Sequence, residues 1–176
     1  MHEQGKKVLA QRIRRFSMPR YQQIPDVGLY LEQTTQYIQQ ILEPLGLDEV
    51  TGSMISNYVK KGLIANPVKK RYSREQIAYL LFILMAKHVL SLEQLRLFIA
   101  MQKRTYSAQK AYDYICEELE NVLGFVFGQK EALEDVGMEK SWEKQLLRNT
   151  IIALAHKIHL DLCFAGILQE EQAADH

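Results

Sequence analysis

The chain has 176 residues, 47% of them hydrophobic and 24% charged, with a formal net charge of +1. That length fits one large domain or two small ones and is enough to bury a core without staples. Cys116 and Cys163 are the only cysteines, which excludes a disulfide framework or a cysteine-based finger and points to a reducing compartment or buried thiols. The sequence holds no secretory apolar core and no apolar run long enough to span a bilayer, so a cytoplasmic protein without a membrane partner is expected.

The small net charge hides an asymmetry. Residues 1–106 hold 16 Lys/Arg against 8 Asp/Glu, a balance of +8, and residues 107–176 hold 6 against 13, a balance of −7. A basic front points to a polyanionic partner, and the opposed halves also allow copies to associate front to back.

In chain order, residues 1–20 hold Lys6, Lys7, Arg12, Arg14, Arg15 and Arg20 against a single Glu3. Two readings stand: a flexible basic arm that orders on nucleic acid, or a helix packed through Val8, Leu9, Ile13 and Phe16. Met18-Pro19 and Ile24-Pro25-Asp26 predict an extended, turning stretch. A helix is expected from about Leu29 to Leu45, with Leu31, Thr34, Ile38, Ile41, Leu42 and Leu45 on one face and Pro44 and Gly46 ending it. Leu47 to Val50 make a longer connection than a tight helix-turn-helix uses.

The chain is organised around Thr51 to Leu84. Thr51 is placed to cap a helix in which Met54, Ile55, Tyr58 and Val59 have core spacing. Gly62 stops that helix at a left-handed position, with Leu63 and Ile64 as apolar anchors. After the Asn66-Pro67 break, Val68, Lys69, Lys70, Arg71 and Tyr72 alternate basic and apolar, like one arm of a short hairpin. Ser73 with Gln76 is a capping box for the next helix, which carries Ile77, Ala78, Leu80, Leu81 and Leu84. Ser53, Ser56, Asn57, Lys60 and Lys61 fall on the polar side of the short helix, beside the ribbon of Lys69, Lys70, Arg71 and Tyr72. Six Lys/Arg and one Asp/Glu stand between Asn57 and Glu75. Short polar side chains read base edges and flanking cations hold phosphates, so these residues are the candidate contacts to double-stranded DNA. The plainer reading is a solvated basic face.

The run M-I-S-N-Y-V-K-K-G-L-I followed by N-P-V-K-K-R-Y-S-R-E-Q-I resembles the winged helix-turn-helix of MerR-type transcription regulators. The matching positions are Tyr58, Gly62, Leu63, Ile64, Tyr72, Ser73 and Glu75, and Ser91-Leu92-Glu93-Gln94-Leu95 is similar to the start of that family's fourth helix. Ser56 and Asn57 stand where the family carries Arg-Tyr. Lys70 stands for its wing Arg, which keeps the charge and loses the bidentate geometry. Over more of the chain, F-S-M-P-R-Y at 16–21, I-P-D-V-G-L-Y-L at 24–31 and the 51–84 stretch resemble a bacterial family known only as domain of unknown function 1836. That resemblance implies a cytoplasmic bacterial protein suspected of regulation.

Further on, Ser91 and Gln94 cap a short helix to Met101 with Leu92, Leu95, Phe98 and Ile99 on its apolar side. Lys103-Arg104-Thr105 reads as a cationic link and a domain boundary. Ser107 caps a helix to about Phe127, striped by Ala108, Ala111, Tyr112, Ile115, Leu119, Val122 and Val126. Residues 129–140 read as a polar loop. Ser141 opens a last helix to about Leu168, with a seam of Leu147, Ile151, Leu154, Ile158 and Leu162. Its wider apolar surface makes it either central in its domain or half of a dimer interface. Gln169 to His176 reads as a disordered acidic tail.

Catalytic and metal chemistry find little support. His156, His159 and Cys163 share one side of the last helix, but at about 1.5 Å rise per residue they span about 10 Å, too far for one ion to meet all three. No cofactor or metal is expected. No cation lies near either cysteine in sequence to activate a thiol. Phosphate-loop, H-E-x-x-H and G-x-S-x-G patterns are missing, and an enzyme is not expected. Glu117, Glu118 and Glu120 read as a solvated face. Tyr106, Tyr112, Tyr114, Phe125, Phe127 and Trp142 either pack in the core or line an apolar effector pocket between the last two helices.

The expected fold is mainly α. Residues 1–28 form the basic arm or helix, residues 29–104 a winged helix-turn-helix with a small two-stranded wing, and residues 105–176 a helical dimerisation or effector region. The expected function is sequence-specific DNA binding as a transcriptional regulator, with a homodimer on a palindromic site and room for a small-molecule effector. The alternative is a protein–protein adaptor that keeps the winged scaffold without binding DNA.

Overall fold

The computed structural model describes residues 2–137 and 141–174. The first basic segment is a packed helix, α1 (Glu3–Arg14), not a free arm. Ile13, Phe16 and Met18 enter the core. Arg12 donates to the Glu43 and Pro44 carbonyls at 2.7 Å each, and Lys6 pairs with Glu3. Arg20 forks onto Glu120 at 2.9 and 2.8 Å, and Glu120 also accepts the Met18 N–H at 2.9 Å. Two of the six cations of this segment, Arg12 and Arg20, therefore tie it to the rest of the chain.

The helix expected from Leu29 starts two residues later. Leu29–Tyr30 form strand β1, and α2 runs from Leu31 to Leu42 before a 3-10 turn at Glu43–Leu45. Gly46 ends that turn at φ 67. Helix α3 (Gly52–Lys60) opens where the Thr51 hydroxyl accepts the Met54 N–H at 3.2 Å, and Gly62 follows it at φ 72. Strand β2 (Arg71–Tyr72) pairs antiparallel with β1, Leu29 opposite Tyr72 and Tyr30 opposite Arg71. The 68–72 stretch is thus not one straight hairpin arm. Val68 and Arg71 bridge each other around a two-residue turn, and the partner strand comes from before α2. Such a turn requires positive φ at both central residues, and Lys69 (φ 49) and Lys70 (φ 64) adopt it.

Helix α4 (Arg74–Ala86) starts at the Ser73–Gln76 capping box and is buried on all sides from Leu80 to Ala86. It, rather than the last helix, is central. Helix α5 (Leu92–Thr105) starts at the Ser91–Gln94 box and runs past Met101, so Lys103–Thr105 are its last turn and not a link. Helices α6 (Ala108–Val126) and α7 (Trp142–Ala174) pack side by side, and one core runs from Ile13 to Leu162 across residues 104 and 105. The expected disordered tail is helical to Ala174. Its last two residues, like residues 138–140 of the expected loop, lie outside the described ones.

The α7 seam of Leu147, Ile151, Leu154, Ile158 and Leu162 is buried as expected, while Trp142, Leu160, Phe164 and Leu168 stay exposed. By length and composition α7 is apolar enough to cross a membrane, with a mean hydropathy of 1.6 over an 18-residue window, which corrects the expectation that no such stretch exists. Lys157 and Asp161 break the run in sequence, but they pair with each other on the helix and leave the average high.

Candidate nucleic-acid interface

The buried side of α3 decides what its other side shows. Ile55 and Tyr58 enter the core, and Ser53, Ser56, Asn57 and Lys60 are exposed opposite them, with Lys61 at the helix end. Lys69 and Lys70 occupy the exposed tip of the turn, and Arg71 follows on β2. Tyr72 is a correction. It is 4% exposed, it belongs to the core, and burial pushes its hydroxyl pKa up. Its strand position turns it inward as Arg71 turns outward, so it anchors the wing and is withdrawn as a contact.

Among the described residues, Lys60, Lys61, Lys69 and Lys70 have no carboxylate partner, unlike Lys6, Lys87, Lys130 and Lys157, which do. Arg71 is exposed but held. Its guanidinium lies 4.8 Å over the Tyr30 ring and donates to the Tyr30 hydroxyl at 3.2 Å and the Val27 carbonyl at 3.3 Å. It braces the wing as much as it charges it.

Two residues that the sequence reading missed also shape this face. Tyr30 supplies the ring under Arg71. Arg96, from α5, donates to the Lys61 carbonyl at 2.8 Å and so supplies positive charge at the α3 C-terminus, where the helix dipole favours it. Neither has a local signature, because each partner lies more than thirty residues away in sequence.

The long 46–50 connection is pinned at several points. Asp48 accepts from Lys87 at 3.2 Å, and the Gln39 amide oxygen takes the Val50 N–H at 2.7 Å. A Cβ on Gly46 would meet Leu162 of α7 at 2.6 Å, and one on Gly52 would meet Leu31 at 3.4 Å. The orientation of α3 is therefore set by α2, α4 and α7 together.

Other candidates resolve differently. No group of three or more His, Cys, Asp and Glu side chains gathers among the described residues. His159 lies 3.6 Å from the Cys163 sulfur and edge-on to Phe127, while His156 faces solvent. Cys116 is buried against the Pro19 carbonyl, and burial pushes its thiol pKa up to about 12. Glu118 and Glu120 are not a solvated face. Glu118 is fully buried beside Arg148, at 3.4 Å, and burial raises its pKa. Of the aromatic residues considered for an effector pocket, Tyr106 and Tyr114 line a cavity between α5, α6 and the start of α7, whereas Tyr112 is in the core and Phe125 and Phe127 lie away from that cavity.

Residues 19–115 match the family described as Domain of unknown function (DUF1836). The chain belongs to this family. The matched region runs from the segment after α1 into α6, so it contains the wing, α3 and the central α4. No curated protein and no solved structure matches this DUF1836 chain.

Proposed function

We propose that this protein is a cytoplasmic bacterial transcriptional regulator that binds duplex DNA through α3 and the wing. The observation that carries the reading is the turn at Lys69-Lys70. A non-glycine residue in the left-handed region is uncommon and costs on the order of 1–3 kcal/mol. Two adjacent lysines hold that geometry at an exposed tip, φ 49 and 64, where asparagine and glycine would be relaxed. Retaining two cations at a strained tip favours a role for their charge outside the protein. Lys60 and Lys61 add unpaired charge, and Ser53, Ser56 and Asn57 are short polar groups suited to base edges. The order of α2, α3, wing and α4 supports the resemblance to a MerR-type winged helix-turn-helix drawn from the sequence.

A homodimer completes the reading. Leu160, Phe164 and Leu168 are 51%, 61% and 56% exposed at four-residue spacing on α7, the stripe a second copy would cover. Phe164→Glu should shift the protein to monomer in sedimentation, and a wild-type monomer would remove this part of the reading.

The DNA test is selection from a random duplex pool at two salt concentrations, with Lys69→Gly/Lys70→Gly alongside. That variant removes charge while relaxing the backbone, so lost binding is not lost folding. An enriched palindrome is expected, with the salt slope reduced by about 2 in the variant, since each phosphate contact contributes about 0.9. Equal binding by both proteins would remove the wing from DNA binding. The same basic face meeting an acidic protein surface would then lead.

A further inference from the structure

A cavity of about 200 Å³ lies between α5, α6 and the first turn of α7. Phe98, Met101, Ala111 and Leu147 make its apolar floor, and Tyr106 and Tyr114 stand as walls. The protein itself holds these walls. The Tyr106 hydroxyl lies 3.0 Å from Ser141 Oγ, and the Tyr114 hydroxyl donates to Glu118 at 3.4 Å. The Gln102 side chain accepts from Tyr79 at 2.7 Å and donates to the Tyr106 carbonyl at 2.8 Å. With those groups engaged, the chamber offers an occupant mainly ring faces and aliphatic carbon.

Charge enters at the rim. Lys110 Nζ sits 4.8 Å over the Tyr106 ring. Lys144 Nζ sits 5.1 Å over the Tyr114 ring and donates to the Gly137 carbonyl at 2.7 Å. Glu143 is the carboxylate among the lining residues. Lys110 lies in the first turn of α6, and Glu143 and Lys144 lie in the first turn of α7, so two positive helix-dipole ends adjoin the same rim. Lys144 is thus placed for a negative head group, and Glu143, the one carboxylate among the described lining residues, limits how much negative charge the rim accepts.

We propose that this chamber binds a small organic monoanion, a monocyclic aromatic carboxylate whose ring enters between Tyr106 and Tyr114 and whose carboxylate stays at the rim beside Lys144. Size sets the class: an apolar cavity of roughly 150 Å³ accepts benzene, so this one admits a ring with a short acidic arm. The assignment stands whether or not the basic face binds duplex. Helix α5 is the wall nearest that face, with Phe98 packed on Phe82 of α4 at 5.5 Å between ring centroids and Arg96 on the Lys61 carbonyl.

The test is calorimetric titration of the full chain with phenylacetate and with its neutral isostere phenylacetamide. One phenylacetate per chain is expected, at least tenfold tighter than phenylacetamide. Met101→Trp fills the chamber from a half-buried position and should abolish phenylacetate binding with the helical circular dichroism unchanged. Lys144→Met keeps the side chain's length and should weaken phenylacetate about tenfold while leaving phenylacetamide unchanged. Equal affinity for the two probes would overturn the anion class. Phenylacetate binding that survives Met101→Trp would place the site elsewhere, and no saturable binding of either probe would overturn the proposal.

Discussion

In α6, α7 and the segment that joins them, Lys130 meets Glu134, Lys157 meets Asp161, and Arg148 meets both Glu118 and Asp135, whereas around α3 and the wing Lys60, Lys61, Lys69 and Lys70 meet no carboxylate among the described residues. Exposed ion pairs are worth only about 0–1 kcal/mol each, so leaving four lysines unpaired does little to stability by itself. The backbone beneath them carries the sharper contrast. Glu118, Arg148, Lys157 and Asp161 stand on regular helix, while the basic face holds two of its lysines at positive φ. One half uses charge to fix its own packing, and the other keeps charge available at some expense of relaxed geometry.

The largest effect should come from breaking the buried pair in the ion-paired half. Glu118 is fully buried, and Arg148 is its nearest cation at 3.4 Å. Arg148→Ala would leave that carboxylate uncompensated and should destabilise the protein by roughly 3 kcal/mol in urea unfolding. Arg148→Met/Glu118→Leu, which removes both charges, should recover most of the loss. The pH dependence fixes the cause. Burial raises the Glu118 pKa above its ordinary 4.5, with Arg148 and Tyr114 only partly offsetting it. A raised carboxyl favours the fold below its unfolded pKa, and that contribution is lost as pH rises through the folded value. Without Arg148 the folded value rises further, so the deficit of Arg148→Ala should shrink as pH falls from about 7 to about 5. A deficit that does not change with pH would mean that lost packing, not the buried charge, is responsible.

A smaller effect tests how firmly α7 seats the connection to α3. Gly46 and Gly62 both sit in the left-handed region, at φ +67 and +72, but a Cβ at Gly46 meets Leu162 at 2.6 Å while one at Gly62 meets nothing within 4 Å. Gly62→Ala carries only backbone strain, on the order of 1 kcal/mol. Gly46→Ala adds the displacement of a Leu162 methyl and should destabilise by about 2 kcal/mol in all. Equal losses at the two sites would mean that Leu162 yields freely and that α7 does not constrain the connection.

What was legible in the sequence follows from distance along the chain. Thr51, Ser73, Ser91 and Ser107 each bond an N–H three residues on, and each predicted a helix start correctly. The polar side of α3 was legible because Ile55 and Tyr58 mark its buried side. The β1–β2 pairing was not, since two-residue strands carry no alternation and their partners lie over forty residues apart. Glu118 had a signal that charge obscured: it shares helical spacing with Ala111, Ile115 and Val122, all buried. The long reach of α5 to Thr105 was hidden by its cationic last turn, which favours a helix C-terminus as readily as a link. The strained turn had no signature, because lysine is not a residue that signals positive φ.

The smallest effect has the opposite sign, and it separates the two halves most cleanly. Lys69→Gly/Lys70→Gly removes no carboxylate contact among the described residues and relieves two left-handed positions. Glycine gives back part of that gain through the greater freedom of its unfolded chain, so a net stabilisation of about 1 kcal/mol is expected. In thermal unfolding the variant should melt a few degrees above wild type, on the usual conversion of about 4–8 °C per kcal/mol for a domain of ~100 residues and less for a larger one. Removal of Arg148 alone in the other half, by contrast, should lower stability. Should the glycine variant melt lower than wild type, the lysine side chains support the wing from within, and the argument that they are held for an outside anion would fail at its first step.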